Sequence, residues 1–236
     1  MFGRDPRQGL NGRMTEGVIP DALKTHVTDE EARVSADDIV ERWNGLDDAG
    51  RGAFLNAVRF SEMRGGALLA YLAESIDADR DARRNVMRQA RDEAKHGYYF
   101  SLILEHLGYE EHPVADQLYG FSGANPNDFG VVDEERRVLV FLVHAEAIEL
   151  RAAVVFDALN RIFADDAFVG RYLNEIRYDE MFHLGWIGSR LDELAGSRPE
   201  INEWREHARD WLASTITRME QEAGDAARVR LTASTT

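Results

Sequence analysis

Two pentapeptides, Asp92-Glu93-Ala94-Lys95-His96 and Asp179-Glu180-Met181-Phe182-His183, share the pattern Asp-Glu-x-x-His, and each lies inside a long stretch of helical apolar periodicity. On a helix, residues three apart share a face, so Glu93 and His96 can grip one ion, and so can Glu180 and His183. Those faces are otherwise apolar. Val86, Phe100 and Ile103 flank the first pair, and Leu173, Ile176 and Ile187 flank the second. A carboxylate in such a stripe is costly unless it is paired with a cation or bound to a metal. The chain must therefore fold so that both motifs face a common interior.

The periodicity predicts an all-α fold. Ser35 with Asp38 reads as a capping box before a short N-terminal helix, 36–43. Four long helices are expected at about 51–76, 81–107, 134–163 and 168–194, and an extra C-terminal helix at about 201–223. Short turns near 77–80 and 164–167 make each successive pair of long helices an antiparallel hairpin. Between the hairpins lie residues 108–133, with Pro113, Pro126 and several glycines. Fully extended, such a segment covers roughly 80 Å, more than the roughly 40 Å of one long helix, so it can cross a whole bundle. Hairpin, long crossover between helices 2 and 3, hairpin is the topology expected of this four-helix bundle. Residues 1–33 are polar and glycine-rich without a period and are expected to form a flexible leader. Residues 34–223 form the helical domain, and 224–236 a flexible tail.

Charge and composition narrow the chemistry. Asp plus Glu number 43 against 28 Lys plus Arg, a formal net charge of −15. That balance argues against nucleic acid or an anionic membrane surface as a main partner. The 44% hydrophobic content suffices for a sizeable core. No apolar run has the length of a membrane span, and the N-terminus lacks the apolar stretch of a signal peptide, so the expected location is the cytoplasm. The chain has no cysteine, which excludes disulfides, cysteine-ligated zinc, iron–sulfur clusters and thiol nucleophiles. Any metal must be held by Glu, Asp and His.

The other two long helices each place a carboxylate on their inner stripe. Glu62 is in register with Leu55, Val58 and Leu69. Glu146 is in register with Leu139 and Leu142, and Glu149 stands one turn further on. Glu62 precedes Glu93 by 31 residues and Glu146 precedes Glu180 by 34, which brings each lone Glu to the level of its partner's motif. Glu62, Glu93, His96, Glu146, Glu180 and His183 are thus the expected metal ligands. Four carboxylates carry −4 and two neutral imidazoles carry none, so the buried set is neutral when two divalent ions fill it. Glu and His ligation suits iron or manganese. The competing reading, a network of ion pairs without metal, needs several buried cations at the same level. Lys95 is expected to project off the ligand face, with no other cation in register.

One Glu, then Glu-x-x-His, then Glu, then Glu-x-x-His, one element per helix, resembles the ferritin-like di-iron carboxylate superfamily over about residues 51–195. The resemblance implies a ferritin-like bundle holding two iron ions, or a manganese/iron pair. It favours the oxygen-activating branch: an oxygenase or oxidase using dioxygen on a small organic substrate. The alternative is a ferroxidase or a rubrerythrin-like, peroxide-scavenging protein. By the same resemblance Asp92 and Asp179 accept hydrogen bonds from the ligand histidines, and Glu149 is a further ligand, a redox-switching ligand or a carboxylate in a channel. Four residues after the first ligand His stands Phe100, where ribonucleotide reductase small subunits carry a radical tyrosine, which lowers that reading. Gly65, Gly66 and Gly97 leave either room for substrate or space for close helix packing, and Phe100, Leu142 and Ile187 are expected pocket walls. With no iron–sulfur cluster of its own, an oxygenase of this kind calls for an electron-donor reductase as partner. Trp204 and Trp211 on the last helix point to a homodimer.

Overall fold

Helix boundaries follow local capping chemistry. A computed structural model of the chain describes residues 35–74, 76, 79–112, 134–206, 208 and 209, the side chains of 134–138 and 140 excepted. Helix α1 (Ala36–Gly45) opens with a reciprocal capping box: the Ser35 N–H donates to Asp38 Oδ2 at 2.7 Å and the Asp38 N–H to Ser35 Oγ at 3.2 Å. Helix α2 (Asp48–Ala73) starts at Asp47, which accepts from the Gly50 N–H at 2.8 Å. Helix α3 (Arg80–Leu107) is capped by Asp79 and stops at Gly108, whose φ of 75° is a left-handed conformation that glycine adopts without penalty. Helices α4 (Glu134–Ile162) and α5 (Ala167–Ala195) follow, α5 capped by Asp166. Residues 200–206 are helical again. All regular structure among the described residues is α-helical.

The expected helices are present with ends shifted by a turn or less. The expected leader 1–33, the middle of the crossover (113–133), the last part of the C-terminal helix and the tail 224–236 lie outside the described residues. No helix among the described residues is long and apolar enough to cross a membrane.

α2 packs closely along α3, α4 along α5, α1 on α4, and α3 on α5. Two glycines account for the close approach of α2 and α3. A Cβ on Gly66 would lie 2.9 Å from the Ala90 carbonyl oxygen, and one on Gly97 would lie 2.6 Å from Met63. Of the two roles open to these glycines in the sequence, packing is the one they serve.

Two separate apolar clusters form the core. One includes Leu69, Val86, Leu142 and Ile187; the other includes Leu55, Phe100, Phe156 and Ile176. Along α2 the chain runs from the second cluster to the first, and along α3 from the first to the second. α4 again runs from the first to the second, and α5 returns. Between the two clusters, at one depth on all four helices, stand buried carboxylates and imidazoles.

Candidate metal centre

Each long helix delivers its polar side chain by the same device: an inward-facing position midway between apolar residues of the two clusters. α2 contributes Glu62, α3 Glu93 and His96, α4 Glu149, and α5 Glu180 and His183. His96 and His183 are fully buried and the four glutamates nearly so. Ligand atoms of Glu62, Glu93, His96 and Glu180 lie within 4.8 Å of one another, as do those of Glu93, Glu149, Glu180 and His183. Either group could hold a metal ion. The two groups share Glu93 and Glu180, so they adjoin.

Both imidazoles aim Nδ1 into the cluster. His96 Nδ1 is 3.1 Å from Glu180, 3.2 Å from Glu62 and 3.8 Å from Glu93. His183 Nδ1 is 3.3 Å from Glu93, 3.5 Å from Glu180 and 3.8 Å from Glu149. The opposite ring nitrogens face aspartates across the pair of motifs. Nε2 of His96 lies 3.2 Å from Asp179 Oδ2, and Nε2 of His183 lies 3.6 Å from Asp92 Oδ2. An ionised carboxylate only accepts, so Asp179 takes the Nε2–H of His96; Nδ1, 3.2 Å from Glu62 Oε2, would turn its lone pair to the cluster once a cation displaced its proton.

The donor set fits a cation. Both oxygens of Glu180 and both ring nitrogens of His183 are buried without a hydrogen bond. These atoms converge on shared points instead of pairing with one another, and buried polar atoms left so are costly. Protonation in the metal-free chain shows the same tension. Burial first, then the neighbouring Glu93 and Glu180 charges, push the carboxyls of Glu62 and Glu149 well above the usual range. Burial opposes charge on His96 and His183, but the carboxylates facing both rings, Asp179 foremost for His96 and Asp92 for His183, outweigh it and raise both far above an ordinary histidine. Glu93 and Glu180 are lowered against their burial, Glu93 by those same imidazoles and Glu180 by the neighbouring Glu149 carboxyl first and then by the imidazoles.

Glu146 requires a correction. It belongs to neither group. Arg205, from the helical segment after α5, donates Nη2 to Glu146 Oε1 at 2.7 Å and Nε to Oε2 at 2.8 Å, and Nη1 to Asp192 at 2.7 Å. Both oxygens of Glu146 are thereby held by a bidentate guanidinium, and Glu149, one turn on, takes the place at the cluster. The signal for this lies in the spacing. Glu149 precedes Glu180 by 31 residues, the same separation as Glu62 from Glu93. Adding 87 to Glu62, Asp92, Glu93 or His96 gives Glu149, Asp179, Glu180 or His183.

Lys95, expected to project off the ligand face, reaches the aspartates behind the two imidazoles. Its Nζ forms an ion pair with Asp179 and lies 3.8 Å from Asp92. Arg91 donates to Asp92 Oδ1 at 2.6 Å. Burial raises the Asp92 carboxyl, yet His183 and Arg91 hold it down to about 2. These cations sit on Asp92, Asp179 and Glu146, whereas the four glutamates of the cluster face the two imidazoles.

Two further features had no counterpart in the sequence reading. The Gln89 amide donates to Glu149 Oε1 from a fully buried position. A cavity of about 220 Å³ opens between α2 and α4, touching Glu62, Glu93, Glu149 and Glu180. Its walls are Leu68, Leu69, Ile148, Ala152, Val155 and Phe156 among others, with Gly65 beside Glu93, where an added Cβ would meet the Glu93 side chain at 3.9 Å. The expected walls Phe100, Leu142 and Ile187 are not part of it; they pack wholly inside the apolar clusters.

Comparison with known proteins finds no matching family model, no matching curated protein and no matching solved structure.

Proposed function

We propose that this chain is a ferritin-like four-helix bundle, with its crossover between α3 and α4, that carries a dinuclear iron or manganese/iron centre and uses dioxygen to oxidise a small organic substrate. The observation that carries this reading is the pair of adjoining four-residue groups sharing Glu93 and Glu180. Two divalent ions neutralise the charge of the four glutamates, and oxygen and imidazole donors suit iron and manganese. The order of the apolar clusters supports the topology. α3 and α4 traverse the core in the same direction, so the chain between them must return along its length.

Glu62 and His96 would complete one ion's ligands, Glu149 and His183 the other's, with Glu93 and Glu180 serving both. Bound there, the metal pair supplies dioxygen binding and the electrons for its reduction. Asp179 fixes the His96 ring through Nε2, and Asp92 stands toward His183 in the same manner. Gln89 orients Glu149. The apolar cavity walls keep bulk water from the carboxylates and give an organic substrate a place beside Glu62 and Glu149. A separate electron donor would sustain turnover, since the chain has no cysteine for an iron–sulfur cluster.

The alternative of a ferroxidase or rubrerythrin-like protein gains from Glu146 and Glu149 acting together, and Arg205 occupies both oxygens of Glu146. Elemental analysis of protein grown with iron and manganese should give two ions per chain. The chemically reduced, iron-loaded protein should then consume dioxygen faster when an organic substrate is present. A reduced protein inert to dioxygen would overturn the oxidase reading, and turnover with Fe(II) or peroxide alone would shift it to the alternative.

A further inference from the structure

Gln89 breaks the repeat. Adding 87 to it gives Ile176, which packs fully buried in an apolar cluster. At the related position, then, an aliphatic side chain serves the fold without burying a polar group. Gln89 is just as deeply buried. It donates its amide to Glu149 Oε1 and leaves its own Oε1 buried without a hydrogen-bond partner. An amide kept half-satisfied in the interior works against folding, so the reason for it lies in what it does to Glu149. The two oxygens of Glu149 are divided: Oε1 accepts from Gln89, and Oε2 faces His183 Nδ1 at 3.8 Å. The counterpart carboxylate, Glu62, turns Oε2 to His96 Nδ1 at 3.2 Å. The residue related to it as Gln89 is to Glu149 is Ile176, whose side chain has no N–H to give.

From this arrangement we propose that Gln89 is a positioning residue that makes the two metal positions unlike. It limits Glu149 to one oxygen, so the ion held with His183 keeps a place open to an added small ligand, whereas Glu62 is free to use both oxygens on the ion held with His96. The proposal rests on the dinuclear reading above. Its physical basis is restraint. A carboxylate gripped at one oxygen by a buried amide is held against the rotation that would bring both oxygens to one cation, and a carboxylate without such a donor is not. The cavity touches both Gln89 and Glu149, so its 220 Å³ is the route by which a small ligand reaches the open place. The pair of positions is thereby unequal even though the glutamates and histidines that form it repeat.

The test uses the full-length protein loaded with iron and oxidised, its metal content measured on the same samples. Azide, followed by its charge-transfer absorbance, should saturate at one per chain, and Mössbauer spectra should show two iron environments in equal amounts. Gln89→Met keeps the length of the side chain and removes the amide. It should retain two ions and bind azide at least about tenfold more weakly, because Glu149 then closes on its ion with both oxygens. Gln89→Ile, which installs the residue of the other half, should do the same. A single iron environment in the unaltered protein would overturn the proposal, as would two azides of equal affinity or azide bound by both variants as tightly as by the unaltered chain. Loss of an ion from the variants would overturn it too, since a Glu149 released to use both oxygens holds its ion at least as well. Two ions per chain with azide indifferent to Gln89 sinks the positioning role and leaves the dinuclear reading standing. Protein that takes up no metal under any growth condition sinks the dinuclear reading, and the role with it.

Discussion

The two hairpins carry the same polar side chains at the same spacing, yet they are held together differently. In the first, α2 and α3 approach through Gly66 and Gly97, where added side chains would strike the opposite helix. The corresponding positions of the second hairpin are Ala153 and Leu184, and α4 and α5 pack less intimately. What joins them further is Arg205, brought in from outside the repeat to bind Glu146 on α4 together with Asp192 and the Gly188 carbonyl on α5. The position equivalent to Glu146 in the first hairpin is Arg59, which instead binds the chain leaving α3 at Glu111 and His112. The cluster side chains and the aspartates behind the two histidines are repeated, and the side chains that hold the helices of each hairpin in place have diverged. The lesson is that a shared chemical task constrains the converging atoms, while each hairpin has its own solution for reaching them.

The comparison can be broken first at its most symmetric point. Glu93→Ala and Glu180→Ala remove side chains common to both four-residue groups. Each should lower the metal content from two ions per chain to near none, and to the same degree. A large inequality between the two, seen by elemental analysis, would show that the halves are not equivalent at the cluster.

The next effect in size concerns pH. Glu62, Glu149, His96 and His183 all have raised values, so each holds its proton to higher pH than an exposed side chain of its kind, and a metal must displace the protons that remain. Raised values mean more bound protons before loading, so metal affinity rises with pH, by about tenfold per displaced proton per pH unit. Loading in weak buffer should acidify the solution as the metal displaces protons. Uptake that does not change the pH would refute this protonation pattern.

The supports give smaller and unequal effects. Arg205→Ala leaves the Glu146 carboxylate buried without its cation and should cost about 3 kcal/mol in chemical denaturation. Metal content should stay at two, because Glu146 is not at the cluster; loss of an ion would restore Glu146 as a ligand. Gly66→Ala forces the first hairpin apart at the Ala90 carbonyl and should cost about 2 kcal/mol. Smallest is Lys95→Met. It removes the cation from Asp179, which bonds His96, and so should weaken one of two sequential metal-binding steps by about tenfold. Equal weakening of both steps would remove the distinction between the halves.

The amino-acid sequence by itself determined the helices and most of the polar layer. Periodic apolar residues, the Ser35–Asp38 box and Gly108 act within a turn or two of chain, so their consequences are local and legible. The two Asp-Glu-x-x-His motifs are legible for the same reason, since the i and i+3 positions meet whatever the helix packs against. Choosing between Glu146 and Glu149 is a different kind of question. The two are about 60° apart around α4, so both face inward and periodicity cannot separate them. The shared 31-residue spacing points to Glu149 but gives no reason for it; tertiary structure supplies the reason, because Arg205, 59 residues beyond Glu146, captures that carboxylate and α4 is turned to offer Glu149 to the cluster. The cavity has the same origin. Its walls come from α2 and α4, which no local rule places opposite each other, and its width is the distance at which the rest of the core holds those two helices apart.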